Sequence, residues 1–145
     1  MPSLTSTIDR WGAMADVRVM LSNQRVEALK LAGLPYASPQ TALGLIDTGA
    51  SCSAIDAELA HSLKLEPRGV THVHTPSTGT AYEIRKIYDV SFVLGHDQPG
   101  ALHVTLSVIE AEFASQGFFV LIGRDVLSQC VFTYHGPTGR YTLDW

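Results

Sequence analysis

The stretch Leu43-Gly44-Leu45-Ile46-Asp47-Thr48-Gly49-Ala50 constrains this chain more than any other. A short apolar run reads as a buried strand, and Thr-Gly directly after it reads as a sharp turn. The pattern holds the Asp47 carboxylate at a strand end with little side-chain bulk around it. A carboxylate so placed, with no cation nearby in sequence, is costly unless it is hydrogen-bonded or used chemically. An Asp turn after a strand is nonetheless common in β proteins, so the tripeptide needs support from elsewhere in the chain.

That support comes from Phe118-Phe119-Val120-Leu121-Ile122, a second buried-strand pattern, and the Gly123-Arg124-Asp125-Val126-Leu127 that follows it. With both segments in view, the chain resembles the retropepsin-like aspartic proteases, a single-domain family that includes retroviral proteases and bacterial relatives. Residues 45–50 match the family's catalytic loop, and residues 121–127 match the segment leading into its C-terminal helix. The resemblance runs over residues 15–145 and implies a closed acid-protease barrel, homodimeric, with Asp47, Thr48 and Gly49 as the catalytic turn.

Composition agrees with one globular unit. The chain has 145 residues, 46% of them apolar, enough for a core and too many for a disordered chain. The formal charge is −4 and the Lys and Arg residues are scattered, so nucleic acid is not an expected partner. No apolar run reaches the length of a membrane span. Residues 2–7 lack the basic start and apolar stretch of a secretory signal, making the cytoplasm the expected compartment unless the chain is cut from a longer precursor. The two cysteines, Cys52 and Cys130, sit in apolar neighbourhoods and read as small core residues rather than a disulfide framework.

Along the chain, residues 1–14 are polar and read as an irregular arm preceding a domain over 15–145. Met14–Ser22 reads as a strand and Gly33–Gln40, with Pro35 and Pro39, as a loop. Asp56 is placed to cap a short helix bearing Leu59, Ala60 and Leu63 on one face. Strands follow over Val70–Thr75, Thr80–Leu94 and Leu102–Ile109, then a loop to Gly117 and a short helix over Arg124–Gln129. Strands at Val131–Tyr134 and Tyr141–Asp144 close the chain. Many strands, one or two short helices and frequent turn signals give a mainly β chain, a small closed barrel.

Peptide hydrolysis by this chemistry takes two carboxyl groups, one ionised to draw a proton from water and one protonated to donate to the carbonyl oxygen. Pepsin-like enzymes carry two Asp-Thr-Gly copies in one long chain, whereas this chain has one. It must therefore pair Asp47 with the Asp47 of a second copy on a two-fold axis. Two carboxylates within ~4 Å repel by several kcal/mol at an effective dielectric of about 20. Such a pair keeps one proton, as aspartic proteases, the worked example of this argument, illustrate. The chemistry calls for no metal or organic cofactor. Gly49, lacking Cβ, suits the close approach of two such loops.

By the same resemblance, Thr48 bonds across the axis to the partner loop, and Arg124 and Asp125 support the catalytic loop. Many retroviral proteases pair that arginine with an acidic residue where Ser51 stands, so Arg124 needs a backbone carbonyl or Asp125 as acceptor. Ala50 stands where pepsin-like sequences carry Ser, whose hydroxyl stabilises the ionised carboxylate. Its methyl places the expected optimum nearer mildly acidic or neutral pH than strongly acid.

The hairpin His74-Thr75-Pro76-Ser77-Thr78-Gly79-Thr80 is small and polar, suited to a flap that closes over an extended peptide and pairs with it as an added strand. Leu45, Leu121 and Ile122 either line substrate pockets or belong to the core, and the family's intersubunit sheet would take Tyr141–Trp145. His72 and His74 share a strand face but lack the companions of a metal site. The reading is a homodimeric aspartic endopeptidase acting on peptides or proteins. Its alternatives are a non-catalytic peptide-binding or scaffold module of the same fold, and a self-processing domain of a longer precursor.

Overall fold

Strand pairing in the computed structural model, which describes residues 1–74 and 79–145, begins with the chain's first strand meeting its last. The order is β1 (Ser3–Asp9), β2 (Gly12–Leu21), α1 (Asn23–Leu31), β3 (Gln40–Ile46), β4 (Ala54–Asp56), α2 (Ala57–Ser62) and β5 (Gly69–Val73). There follow β6 (Glu83–Leu94), β7 (Leu102–Ala111), β8 (Val120–Ile122), α3 (Arg124–Leu127), β9 (Val131–His135) and β10 (Arg140–Asp144). The sheet runs β5-β6-β7-β4-β8-β3-β2-β1-β10-β9, and an additional β6–β2 pairing closes six of these strands into a barrel.

Alternation explains β2, whose Ala13, Ala15, Val17, Val19 and Leu21 all point into the core. The second half of β6 is buried on both faces from Val90 to Leu94, and reads in sequence as an almost continuous apolar run. Two parallel pairings, β3 with β8 and β4 with β7, join elements far apart in the chain. Between them, β4 and β8 run antiparallel, drawing residues 44–56 and 120–122 together. The main core centres on Val17, Val90, Phe92, Ile55, Val120 and Ile122. A smaller cluster of Met14, Ala54, Phe113 and Phe118 lies beside it, with the two phenylalanine rings stacked at 4.9 Å.

The structure corrects three expectations. Residues 1–14 are not irregular, because Ser3–Thr7 pairs with Arg140–Asp144 and Ile8–Asp9 pairs with Gly12–Ala13. Among the described residues there are three α-helices rather than one or two. The extra one, α1, buries no residue, so no apolar stripe marks it in the sequence. Its caps do mark it: the Ser22 side chain accepts from Arg25 N, and Gly33 at φ 69° ends it, with Leu34 N donating to Leu29 O and Gly33 N to Lys30 O. Finally, β10 is flanked by β1 on one edge and β9 on the other, both from its own chain. Tyr141–Asp144 therefore has no free edge for an intersubunit sheet, and Trp145 N donates to Pro2 O. The free edge on this side belongs to β9, which has no second partner among the described residues. No helix among those residues is long and apolar enough to cross a membrane.

Candidate active site

Asp47 begins where β3 ends. Its N–H donates to Ile122 O at 2.9 Å, extending the parallel β3–β8 pairing by one residue into the turn. The carboxylate folds back on its own loop, with Oδ1 accepting from Gly49 N at 2.9 Å, and Ala50 N donates to Asp47 O at 3.2 Å. Asp47 and Ala50 are half-buried, while Thr48 and Gly49 are exposed. This is an Asx-type turn presented at the molecular surface.

Arg124 holds the turn from behind. Its backbone N donates to Ala50 O at 2.9 Å, and its Nη1 donates to Thr48 O at 2.8 Å. The acceptor for this guanidinium is thus a backbone carbonyl, and the side chain is exposed rather than sunk beneath the loop. Asp125 has a different task. Its Oδ2 accepts from Ser53 N at 2.9 Å and its Oδ1 from Ser53 Oγ at 2.6 Å. Ser53 Oγ in turn accepts from Gly123 N at 2.9 Å, so the fully buried hydroxyl is both donor and acceptor. Gly123 is required by proximity: a Cβ there would stand 2.7 Å from the Cys52 carbonyl carbon and 2.8 Å from its oxygen. Two chain segments, 47–53 and 123–125, are locked together backbone against backbone.

A second carboxylate, Asp56, shapes the opposite wall. It is 2% exposed, caps α2 through Glu58 N at 2.8 Å, and accepts from Phe113 N at 2.7 Å and Ala114 N at 2.8 Å. Three backbone donors satisfy this buried charge and pin the loop after β7. The sequence marks Asp56 only as a helix cap, and nothing beside Ser53 signals its bonds to Gly123 and Asp125, since these long-range partners leave no local signal.

Asp47, Gly49 and Ala50 open onto a cleft of about 520 Å³. The loop contributes Ser51, Cys52 and Ala54, the β5–β6 hairpin Val73, His74, Glu83 and Arg85, and the far side Ile109, Phe113 and Leu121. Leu121 thus lies on the cleft wall. Ile122 does not: it is fully buried in the main core, because alternation along β8 turns it to the other face. Leu45 packs half-buried against the smaller cluster instead of lining the cleft. Thr75, Pro76, Ser77 and Thr78 of the expected flap lie outside the described residues, while Gly79 sits in a turn at φ 60°. His72 and His74 both pack on the Tyr82 ring, at centroid distances of 4.3 Å and 5.6 Å.

Both cysteines are free thiols. Burial foremost, and then the nearby Asp125 charge, push the Cys52 thiol up against a smaller opposing effect of its Ser51 hydrogen bond. Burial likewise raises Cys130, whose Sγ donates to Val126 O at 3.7 Å.

The aspartyl protease family model matches residues 40–126, more than half of the chain and the whole of this constellation. The chain belongs to the aspartyl protease family. No curated protein matches it. Among solved structures, a retropepsin-like aspartic protease from Rickettsia conorii aligns with a TM-score of 0.60 at 14% identity, over 99% of this chain and 91% of that one. That likeness gives this aspartyl protease its fold: a retropepsin-like, mainly β closed barrel with few short helices.

Proposed function

We propose that this chain is an aspartic endopeptidase working as a symmetric homodimer, in which the Asp47 carboxyls of two copies share a proton and activate water for attack on a peptide bond. The observation that carries this reading is the Asp47 turn, set at the mouth of a peptide-sized cleft and anchored through Thr48 O by Arg124. One copy supplies one such turn, and general acid–base hydrolysis needs a second carboxyl within reach. The exposure of Thr48 and Gly49 supports a partner loop meeting them there.

The partner's sheet contact is best assigned to β9. Its outer edge carries no Lys, Pro or bulge to discourage pairing, and Val131 and Tyr134 are each 59% exposed. β9 follows α3 directly, so a copy paired there lies close to the Arg124 anchor. In this reading residues 15–145 form the catalytic unit, and of the preceding residues 1–14, Ser3–Thr7 brace β10 while Gly12–Met14 open β2. The segment His74–Thr80 serves as the flap, extended peptides are the substrates, and Ala50 sets the optimum near mildly acidic or neutral pH.

The test is cleavage of a peptide library by wild type and by Asp47→Asn, each checked for dimerisation by sedimentation. Cleavage lost in the variant with assembly retained supports the reading. Equal cleavage by both proteins, or none by either while peptide binding persists, overturns it.

A further inference from the structure

One cation stands out on the cleft wall. Arg85 lies on β6 opposite Thr71 of β5, and its neighbour Glu83 lies opposite Val73. Residues i and i+2 of a strand share a face, so Glu83, Arg85 and Ile87 align, and Ile87 in turn sits opposite Ile109 of the cleft. Arg85 and Glu83 both line the cavity that holds Asp47. They form an ion pair through Nη2 and Oε2.

The two partners differ in how firmly they are held. The Arg85 side chain is 29% exposed and Glu83 is 52% exposed. A guanidinium is always charged and offers five donors in a planar fork. Among the described residues, Glu83 is the only group that accepts from it. Glu83, more than half exposed, has the easier route into water, whereas most of the Arg85 side chain is already out of it. The lasting feature of this part of the cleft is thus a half-desolvated cation whose carboxylate partner can be exchanged.

We propose that Arg85 is a specificity-determining residue that binds an acidic side chain of the substrate, the incoming carboxylate replacing Glu83 on the guanidinium. This rests on the peptide-binding cleft proposed above and names its substrate class: extended peptides with Asp or Glu at the position facing Arg85. Until such a peptide arrives, Glu83 keeps the subsite filled, so neutral and basic side chains there meet an ion pair they cannot replace. In a symmetric dimer each half-cleft presents one such arginine, giving the preference on both sides of the scissile bond.

Binding without turnover tests this separately from catalysis. A random decapeptide library is passed over immobilised Asp47→Asn protein, and the same is done with Asp47→Asn/Arg85→Met and Asp47→Asn/Glu83→Gln. Retained peptides are sequenced. Acidic residues should be enriched on the Arg85-containing column at two positions, one for each half-cleft, by about ten-fold at each, as expected for one charge-assisted pair. That enrichment should vanish with Arg85→Met and grow with Glu83→Gln, which leaves the cation without its internal partner. No acidic enrichment, or enrichment unchanged by Arg85→Met, overturns the proposal. Cleavage of the same library by wild type reports on the peptidase reading alone: acidic enrichment without cleavage would keep the subsite and remove the enzyme.

Discussion

The Arg124 guanidinium donates to the Thr48 carbonyl oxygen at 2.8 Å, tying the Asp47 turn to α3 across 76 residues of sequence. The bond is exposed on both sides, so its worth to global stability is modest, about 1 kcal/mol. In the proposed dimer its worth to chemistry is larger, because the carboxyl it positions would meet its counterpart within hydrogen-bonding distance. Arg124→Met should therefore lower kcat by about 10- to 100-fold while moving Tm little. Steady-state kinetics on a cleaved peptide, paired with thermal melts, check this. A large Tm loss with kcat intact would reverse the assignment.

Ser53 should behave in the opposite way. Its hydroxyl is fully buried and satisfies both Gly123 N and Asp125 Oδ1. Ser53→Ala orphans the buried Gly123 N–H and takes one of three hydrogen bonds from the Asp125 carboxylate, which keeps Ser53 N and Val126 N, at a cost of about 1–3 kcal/mol. Urea denaturation should show the midpoint falling with the slope unchanged. A double-mutant cycle with Asp125→Ala should show coupling, since the hydroxyl–carboxylate bond exists only when both side chains are present.

Alkaline stability follows from two buried phenols. Tyr141, whose hydroxyl donates to Met14 O, is pushed up to about 12 by burial, with the Asp16 charge adding to it. The unfolded chain releases that proton near its ordinary value of about 10. Between the two values the native state holds more protons, so stability falls as pH rises. The contribution is whole below the unfolded value and lost above about 12. Tyr88, raised by burial and by its 2.5 Å hydrogen bond to Glu110, acts in the same direction. Urea midpoints should stay level to about pH 10 and then drop, and Tyr141→Phe should soften that drop while costing about 1–2 kcal/mol at neutral pH. A midpoint rising above pH ~10 would contradict the sign.

The β9 edge gives a test of assembly. Lysines on an exposed edge strand discourage pairing. Val131→Lys combined with Tyr134→Lys alters two side chains that are each 59% exposed, so the monomer should fold normally. Sedimentation should show single molecules, and cleavage should be lost with the circular dichroism spectrum kept. A variant that still forms dimers would move the interface elsewhere.

What the sequence made legible is what depends on neighbours in the chain. The Asp47 turn, the Gly123–Leu127 segment, the Asp56 cap and the alternating β2 each carry their signal within a few residues. The rest depends on distant partners or lacks periodicity. Ser53 and Asp125 meet across 72 residues, and nothing near either announces the other. In α1, Leu31 is 89% exposed, so the hydrophobic spacing that marks a helix is missing and only its caps remain. β1 is a Ser- and Thr-rich stretch that looks like a tail until Arg140–Asp144 lies beside it.

That last pairing orders events during synthesis. Ser3–Thr7 is made before Arg140–Asp144, the strand it needs, so this pairing can close only after every strand between them exists. The backbone pairings of the six-stranded ring and of the Asp47 turn use no residue beyond Arg124, so they can form while β1 still waits, with Tyr141 and Leu143 completing the core afterwards. Until β10 is made, β9 is bare along both sides, so unpaired strand edge is at its greatest just before this closure.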